Sequence, residues 1–275
     1  MSFLAKNKSD VILGLLIIES ILLSLVLESK GLFWMIFIVS ATTVFLYSIM
    51  VLDVRVKKFW ESDKRDDVIF ILVMTALINA NITMFPNRLI LSVIFLAYYA
   101  GLRYLIWMFE KGTVSQIQKN ALNLSALFVI FLGTNLNANI AMIAEKSIGG
   151  IVVLPATLLL FASIYLIAYY NFIKNRVSKK WARAYSLVLA LILSETALLA
   201  SFYLERYPSI YKTESAANMS IVTLPLFLVV IYYMLYGLMM HKLEKRLFPR
   251  VLMEYIGISA VIMATLFITI KWFAG

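Results

Sequence analysis

The chain has 275 residues, of which 63% are hydrophobic, and its mean hydropathy is +0.91. Soluble domains are roughly 45–50% apolar, and a globule of this size cannot hide such an excess of apolar side chains from water. The composition excludes a soluble enzyme, a nucleic-acid-binding domain and a disordered chain, and it predicts a polytopic membrane protein. The net charge of +10 is then explained by basic cytoplasmic loops, and we expect no nucleic-acid partner.

Two residue types that support much of protein chemistry are scarce. The chain has no cysteine, which excludes disulfides, thiolate metal sites and thiol nucleophiles, and His241 is its only histidine. All five aspartates fall in predicted cytoplasmic segments, which disfavours aspartyl proteolysis within the membrane and metal-assisted diphosphate chemistry. We therefore predict no metal, no cofactor and no catalytic constellation, so that an enzyme acting on lipid ranks third among the functions considered.

Nine apolar stretches are long enough to cross a bilayer as helices, which requires about 20 residues each. In chain order they are Val11–Leu27, Leu32–Leu52, Val68–Phe85, Leu89–Phe109, Ala121–Ala144, Ile151–Ile173, Ala184–Leu204, Met219–Met240 and Val251–Ile270. Their continuous apolar character indicates helices rather than barrel strands. The first stretch lacks a cleavage site of the signal-peptide type, so we interpret it as a retained helix. The predicted fold is all-α, with one transmembrane domain over residues 1–275.

The distribution of basic residues predicts the orientation. With the N-terminus in the cytoplasm, eighteen Lys and Arg residues lie inside and six lie outside, while Arg103 falls within a helix. Because cytoplasmic loops are enriched in basic residues, this bias predicts a cytoplasmic N-terminus, an outer C-terminus and a multi-pass protein of the plasma (inner) membrane. Each basic loop residue near the surface also contributes about 1 kcal/mol of attraction to anionic lipid headgroups, which are expected partners besides the bilayer itself.

Short internal similarities suggest a repeated helical hairpin. Ile78–Met84 recurs as Leu136–Met142, 58 residues later, and Glu19–Ser24 is similar to Glu195–Ala200, 176 residues later. These offsets predict hairpins at about residues 10–66, 67–119, 120–183 and 184–250, followed by a terminal helix at 251–270. Chance similarity within an apolar alphabet is the alternative, because short matches among helices are common.

Ionisable residues inside predicted helices are the first candidates for a site. Glu19 and Glu195 lie near the midpoints of their helices, and Arg103 is the only cation within a helix. A charge at the bilayer centre costs about 2.5–3.5 kcal/mol on insertion scales, so each should face the bundle interior or a water-filled cavity. Two acids against one base leave one carboxylate to be protonated, to bind a cation or to be hydrated. The alternative is structural hydrogen bonding to nearby hydroxyl groups.

Asparagines form the second candidate cluster. Asn79 and Asn81 lie in the third predicted helix, and Asn135, Asn137 and Asn139 lie in the fifth. Asn135 and Asn139 share a helix face and Asn137 points roughly opposite, so the three cannot be buried along one seam. Amide carbonyls are good ligands for hard cations and polar solutes. We therefore take Asn79, Asn135 and Asn139 as site candidates, and interpret Asn81 and Asn137 as interhelical hydrogen-bonding groups.

Other unusual residues receive structural interpretations. Pro155 and Pro225 fall within predicted helices, where each is either a gating kink or a passive proline. The tyrosines near the inner helix ends indicate interfacial anchoring, and His241 is interpreted as a residue of the membrane interface.

Two functions from different classes remain open. The leading one is a carrier or channel-like protein for a small cation or polar solute, with Glu19, Glu195, Arg103 and the asparagines at its site. The alternative is a non-catalytic subunit of a larger membrane assembly, in which the polar residues bind partner membrane subunits or further copies of this chain.

Overall fold

The structure is a computed structural model of the chain. It describes residues 14, 18, 30–52, 59, 62, 64–81, 101, 116–147, 153–201, 209–212 and 220–269. The chain divides into two compact units, residues 1–118 with 213–219 and residues 119–212 with 220–275. The first and fourth predicted spanning helices lie outside the described residues, apart from residues 14, 18 and 101. Helices occur at the other seven predicted stretches.

The first unit contains two packed helices, α1 (Lys30–Val51) and α2 (Arg65–Asn81). Lys64, just before α2, donates a hydrogen bond from Nζ to the Leu52 carbonyl just after α1, at 2.9 Å. Asp66 and Asp67 occupy the first turn of α2, where carboxylates interact favourably with the positive end of the helix dipole. The two carboxylates stabilise the first turn of α2, and the Lys64 hydrogen bond joins its start to the end of α1.

The second unit contains most of α3 (Gln116–Ser147) and four further helices with a short hairpin between them. In chain order these are α4 (Val153–Lys174), α5 (Lys179–Ser201), β1 (Ser209–Lys212), β2 (Ser220–Val222), α6 (Leu224–Leu243) and α7 (Pro249–Thr269). Within this unit α4 packs on α5, α5 on α6 and α6 on α7. Among the described residues, α4, α5, α6 and α7 are long and apolar enough to cross a membrane. The number of spans in the whole chain and their orientation stay predictions.

The two short connections of the second unit share one backbone motif. Arg176 and Lys245 adopt positive φ values of 63° and 56°. After α4, the Val177 amide bonds to the Phe172 carbonyl and the Arg176 amide to the Ile173 carbonyl; after α6, the Arg246 amide bonds to His241 and the Lys245 amide to Lys242. This is the Schellman pattern that satisfies the last carbonyls of a helix. It reverses the chain within a few residues and brings α5 back along α4 and α7 back along α6.

A two-stranded antiparallel hairpin, β1 and β2, departs from the all-α expectation. Ser209 pairs with Val222 and Lys212 with Ser220, with an irregularity between Ser209 and Tyr211. The eighth predicted span was expected to begin at Met219, but α6 begins at Leu224 because residues 220–222 pair as a strand. The β-branched Ile221 and Val222 suit this extended backbone.

Pro225 lies in the first turn of a helix, where a proline does not kink it. Pro225 is at the second position of α6, after Thr223 at the N-cap, and Pro155 is the third residue of α4 as described. Backbone amides in the first turn have no partner within the helix, so proline loses no hydrogen bond there. The gating-kink interpretation is therefore wrong for Pro225; for Pro155 it stays a prediction, because residues 148–152 lie outside the described part of the chain.

The core of the second unit lies between α4, α5 and α6. Its fully buried residues include Phe172 of α4, Leu193 of α5 and Leu228 of α6. By contrast, α7 buries only Ser259 among its described side chains and exposes apolar residues on most of its surface. A helix that is apolar nearly all round is suited to lipid contact.

Candidate functional site

Three asparagines in α3 form what we call the amide segment: Asn135, Asn137 and Asn139. Asparagine is a poor helix former because its side chain competes for backbone groups, yet all three lie inside a continuous helix. Their exposed fractions are 0%, 3% and 1%. Residues two apart in a helix point to roughly opposite sides. Because all three asparagines are buried, α3 is covered on both faces between Asn135 and Asn139. The amide segment is therefore a polar section in the buried part of an apolar helix.

The hydrogen bonds of the amide segment are unequal. Asn139 donates from Nδ2 to the Asn135 carbonyl of its own helix at 2.8 Å, and neighbouring Thr134 donates to the Ile130 carbonyl at 2.7 Å. The Asn137 Nδ2 is buried and has no hydrogen-bond partner within the described part of the chain. An unmet buried donor costs about 1–3 kcal/mol. Asn137, which the sequence assigned to interhelical hydrogen bonding, is thus the member of the segment with a donor available to another molecule.

A second polar group, the amide–tyrosine cluster, joins three helices near the end of α4: Asn123 of α3, Asn171 and Asn175 at the end of α4, and Tyr236 of α6. Asn171 is buried and donates from Nδ2 to Asn123 Oδ1 at 3.0 Å. Asn175 donates to the Asn171 carbonyl at 2.8 Å and to the Tyr236 hydroxyl at 3.0 Å.

Aromatic rings enclose the amide–tyrosine cluster. The Tyr236 ring lies 4.9 Å from that of Phe172 and stacks on Tyr232 with 5.5 Å between ring centroids. Tyr236 belongs to the tyrosine group noted in the sequence, but Asn123, Asn171 and Asn175 were missed. The available signal was Asn171, an amide within an otherwise apolar segment. Because these groups bond to one another, the cluster is a structural connection between helices.

His241 contacts the neighbouring helix. Its Nε2 lies 3.4 Å from the Tyr255 hydroxyl of α7, and the two rings meet edge to face at 5.5 Å. This pair closes the α6–α7 hairpin at the end where the chain turns. Its predicted place at the membrane interface is not tested by these contacts.

Glu195 lies on the outside of the second unit. Its side chain is exposed on α5, and neither a hydrogen bond nor an ion pair joins it to the described residues. It is flanked on the same face by Leu191 and Leu199, which are 51% and 58% exposed. The Glu195 side chain is thus exposed, whereas the side chains of the amide segment are buried.

The remaining predicted site residues are not described in enough detail to place them. Glu19 and Arg103 lie outside the described residues, and Asn79 lies in α2 of the first unit with an undescribed side chain. Of the six predicted site residues, the structure brings together Asn135 and Asn139. Among the described residues no group of three or more His, Asp or Glu side chains is arranged to hold a metal ion.

Comparison with known proteins gives no relative: no protein-family model, curated protein or solved structure matches the chain. Functional inference therefore rests on the geometry of the described residues.

Proposed function

We propose that the chain is a membrane carrier or channel-like protein for a small cation or polar solute, with the amide segment of α3 in its pathway. The observation that supports this most is the buried Asn137 Nδ2, which has no hydrogen-bond partner in the described part of the chain. A passing solute or water molecule offers the acceptor that this donor lacks. The amide carbonyl oxygens of the same segment are ligands of the kind that hard cations use.

The competing structural role of the amides would require hydrogen bonds between helices. The Asn139 side chain donates to the carbonyl of Asn135 in its own helix, and this particular hydrogen bond does not join two helices. Interhelical adhesion is already provided elsewhere by Asn171 and Asn175. The Asn137 Nδ2, which has no hydrogen-bond partner among the described residues, favours a solute-binding role for the amide segment.

A second function is favoured by a separate observation. The exposed Glu195 on an apolar helix face fits a non-catalytic subunit of a larger membrane assembly. Glu195 is not part of the transport proposal, because its side chain is exposed whereas the amides of α3 are buried. The two functions are compatible in one molecule.

Transport is tested with purified protein in liposomes of neutral lipid, by measuring the flux of protons, Na⁺, K⁺ and small uncharged polar solutes. We expect wild-type flux of at least one solute above that of protein-free vesicles, and a fall of about tenfold in Asn137→Leu, which removes a polar interaction of about 1.4 kcal/mol. Asn120→Leu is the matched control, since Asn120 is an exposed amide of the same helix. Equal flux in wild type and Asn137→Leu would rule out the proposed pathway.

A further inference from the structure

One face of α5 is an exposed apolar ridge with a single charge. The α5 ridge consists of Leu187, Leu191, Glu195 and Leu199, spaced four residues apart so that the side chains line up along the helix. The three leucines are 46%, 51% and 58% exposed, while Leu193 on the opposite face is fully buried. The ridge therefore points away from the core formed by α4, α5 and α6.

The charge on the ridge lies deep in the membrane. Glu195 follows Arg183, the last basic residue before the apolar part of α5, by twelve residues, or about 18 Å along a helix. The hydrocarbon core of a bilayer is about 30 Å thick. A glutamate side chain is too short to bring its carboxylate to either surface from that depth, unlike a lysine or arginine that can extend to the interface.

Glu195 also differs from the other exposed acids of the second unit. Glu244 pairs with Arg246 at 3.8 Å outside the helices, and Glu254 is close to the start of α7, beside the basic segment that ends at Arg250. Glu195 has no basic neighbour in its own helix between Ala184 and Ser201. It is the acid whose surroundings in lipid are least favourable without a partner.

We propose that the α5 ridge docks a transmembrane helix of a different membrane protein, which carries a lysine or arginine at the depth of Glu195. Charge complementarity selects this occupant, because a cation neutralises the carboxylate where water is absent. Leu191 on one side and Leu199 on the other provide apolar contact for the same helix. The inference does not depend on the transport function.

A second copy of the chain fits the ridge less well. A symmetric pair would use the same patch on both molecules, and it would set two Glu195 carboxylates against each other. Since α5 has no cation along the ridge, neither copy would neutralise the other. The ridge therefore specifies a partner of opposite charge.

The test uses a synthetic 23-residue leucine–alanine transmembrane peptide with one central arginine, and an otherwise identical peptide with leucine there. Because the chain has no cysteine, Ala184→Cys at the exposed start of the ridge takes a single fluorescent donor. Energy transfer to acceptor-labelled peptide is measured in phosphatidylcholine vesicles. We expect the arginine peptide to associate at least tenfold more tightly than the leucine peptide, and Glu195→Gln to abolish that difference.

Glu254→Gln is the matched control, since it removes an exposed acid from α7 and should leave the preference for arginine intact. The proposal is overturned if both peptides bind equally, or if Glu195→Gln retains the preference. It is also overturned if energy transfer that depends on Glu195 is measured between copies of the chain, since a second copy then occupies the ridge. It is overturned as well if the arginine peptide binds only after Arg103→Leu, since a helix of the same chain then occupies the ridge. Flux plays no part in this readout, so failure of the transport proposal is seen separately.

Discussion

The side chain of Asn171 connects helices that are far apart in sequence. It donates to Asn123, 48 residues earlier, and its backbone carbonyl accepts from Asn175, which in turn reaches Tyr236. We expect Asn171→Leu to lower the free energy of unfolding by about 1 kcal/mol or more, since it leaves the Asn123 carbonyl without its donor. Denaturation of the protein in detergent micelles measures this change.

Ser163→Ala is a suitable control for Asn171→Leu. Ser163 belongs to the same helix, and among the described residues its hydroxyl bonds to the Leu159 carbonyl one turn earlier. Its removal should change stability little, because no other helix loses a partner. If both substitutions destabilise the protein equally, the Asn171 network does not hold the helices together.

At this scale the sequence indicates which residue types are unusual but not which groups they bond to. The spacing of Asn135, Asn137 and Asn139 was sufficient to single out the amide segment, because asparagine is conspicuous in an apolar helix. Whether an amide has a hydrogen-bond partner depends on the groups packed around it. The sequence predicted interhelical hydrogen bonding for Asn137, whereas its Nδ2 has no partner among the described residues. Asn123 and Asn175 were missed for a similar reason, since their partners are distant in the chain.

At the scale of helices, Gly237 sets the packing of α6 on α7. A Cβ atom at this position would overlap the ring of Tyr255, which also contacts His241 and Tyr233. We expect Gly237→Ala to destabilise the protein by about 1–3 kcal/mol, the usual cost of overpacking, because the Tyr255 ring must move out of both contacts. Thermal unfolding in detergent micelles checks the prediction.

Gly257→Ala provides the comparison within the same helix pair. A Cβ atom at Gly257 meets nothing within 4 Å, and alanine favours a helix over glycine by about 1 kcal/mol. This variant should be neutral or more stable than wild type. Destabilisation of similar size in both variants would show that the effect belongs to helical glycines in general and not to the contact with Tyr255.

Helices occur at the seven predicted stretches that the structure describes, because a segment that crosses a bilayer must stay apolar over its length. The α7 helix begins at Pro249, two residues before its predicted start. The errors occur where another constraint decides, as at residues 220–222, which pair with β1 although they continue an apolar run. Hydropathy alone does not distinguish an apolar strand from the first turn of a helix.

Over the second unit as a whole, basic residues collect at one end of the helices. The two connections α4–α5 and α6–α7 and their flanking turns carry nine Lys and Arg residues: Lys174, Arg176, Lys179, Lys180, Arg183, Lys242, Lys245, Arg246 and Arg250. The connection between α5 and α6, at the opposite end, carries two, Arg206 and Lys212. Basic residues flanking short loops favour the cytoplasmic side.

This asymmetry predicts that the α4–α5 and α6–α7 connections are cytoplasmic and the β1–β2 hairpin is outside. The absence of cysteine allows a direct measurement, because one introduced thiol is the only target for a maleimide that does not cross membranes. In intact cells we expect Ser220→Cys in β2 to be labelled and Ser178→Cys in the α4–α5 connection to be labelled only after permeabilisation. The reverse pattern would invert the orientation, whereas labelling of both sites in intact cells would mean that α5 does not cross the bilayer.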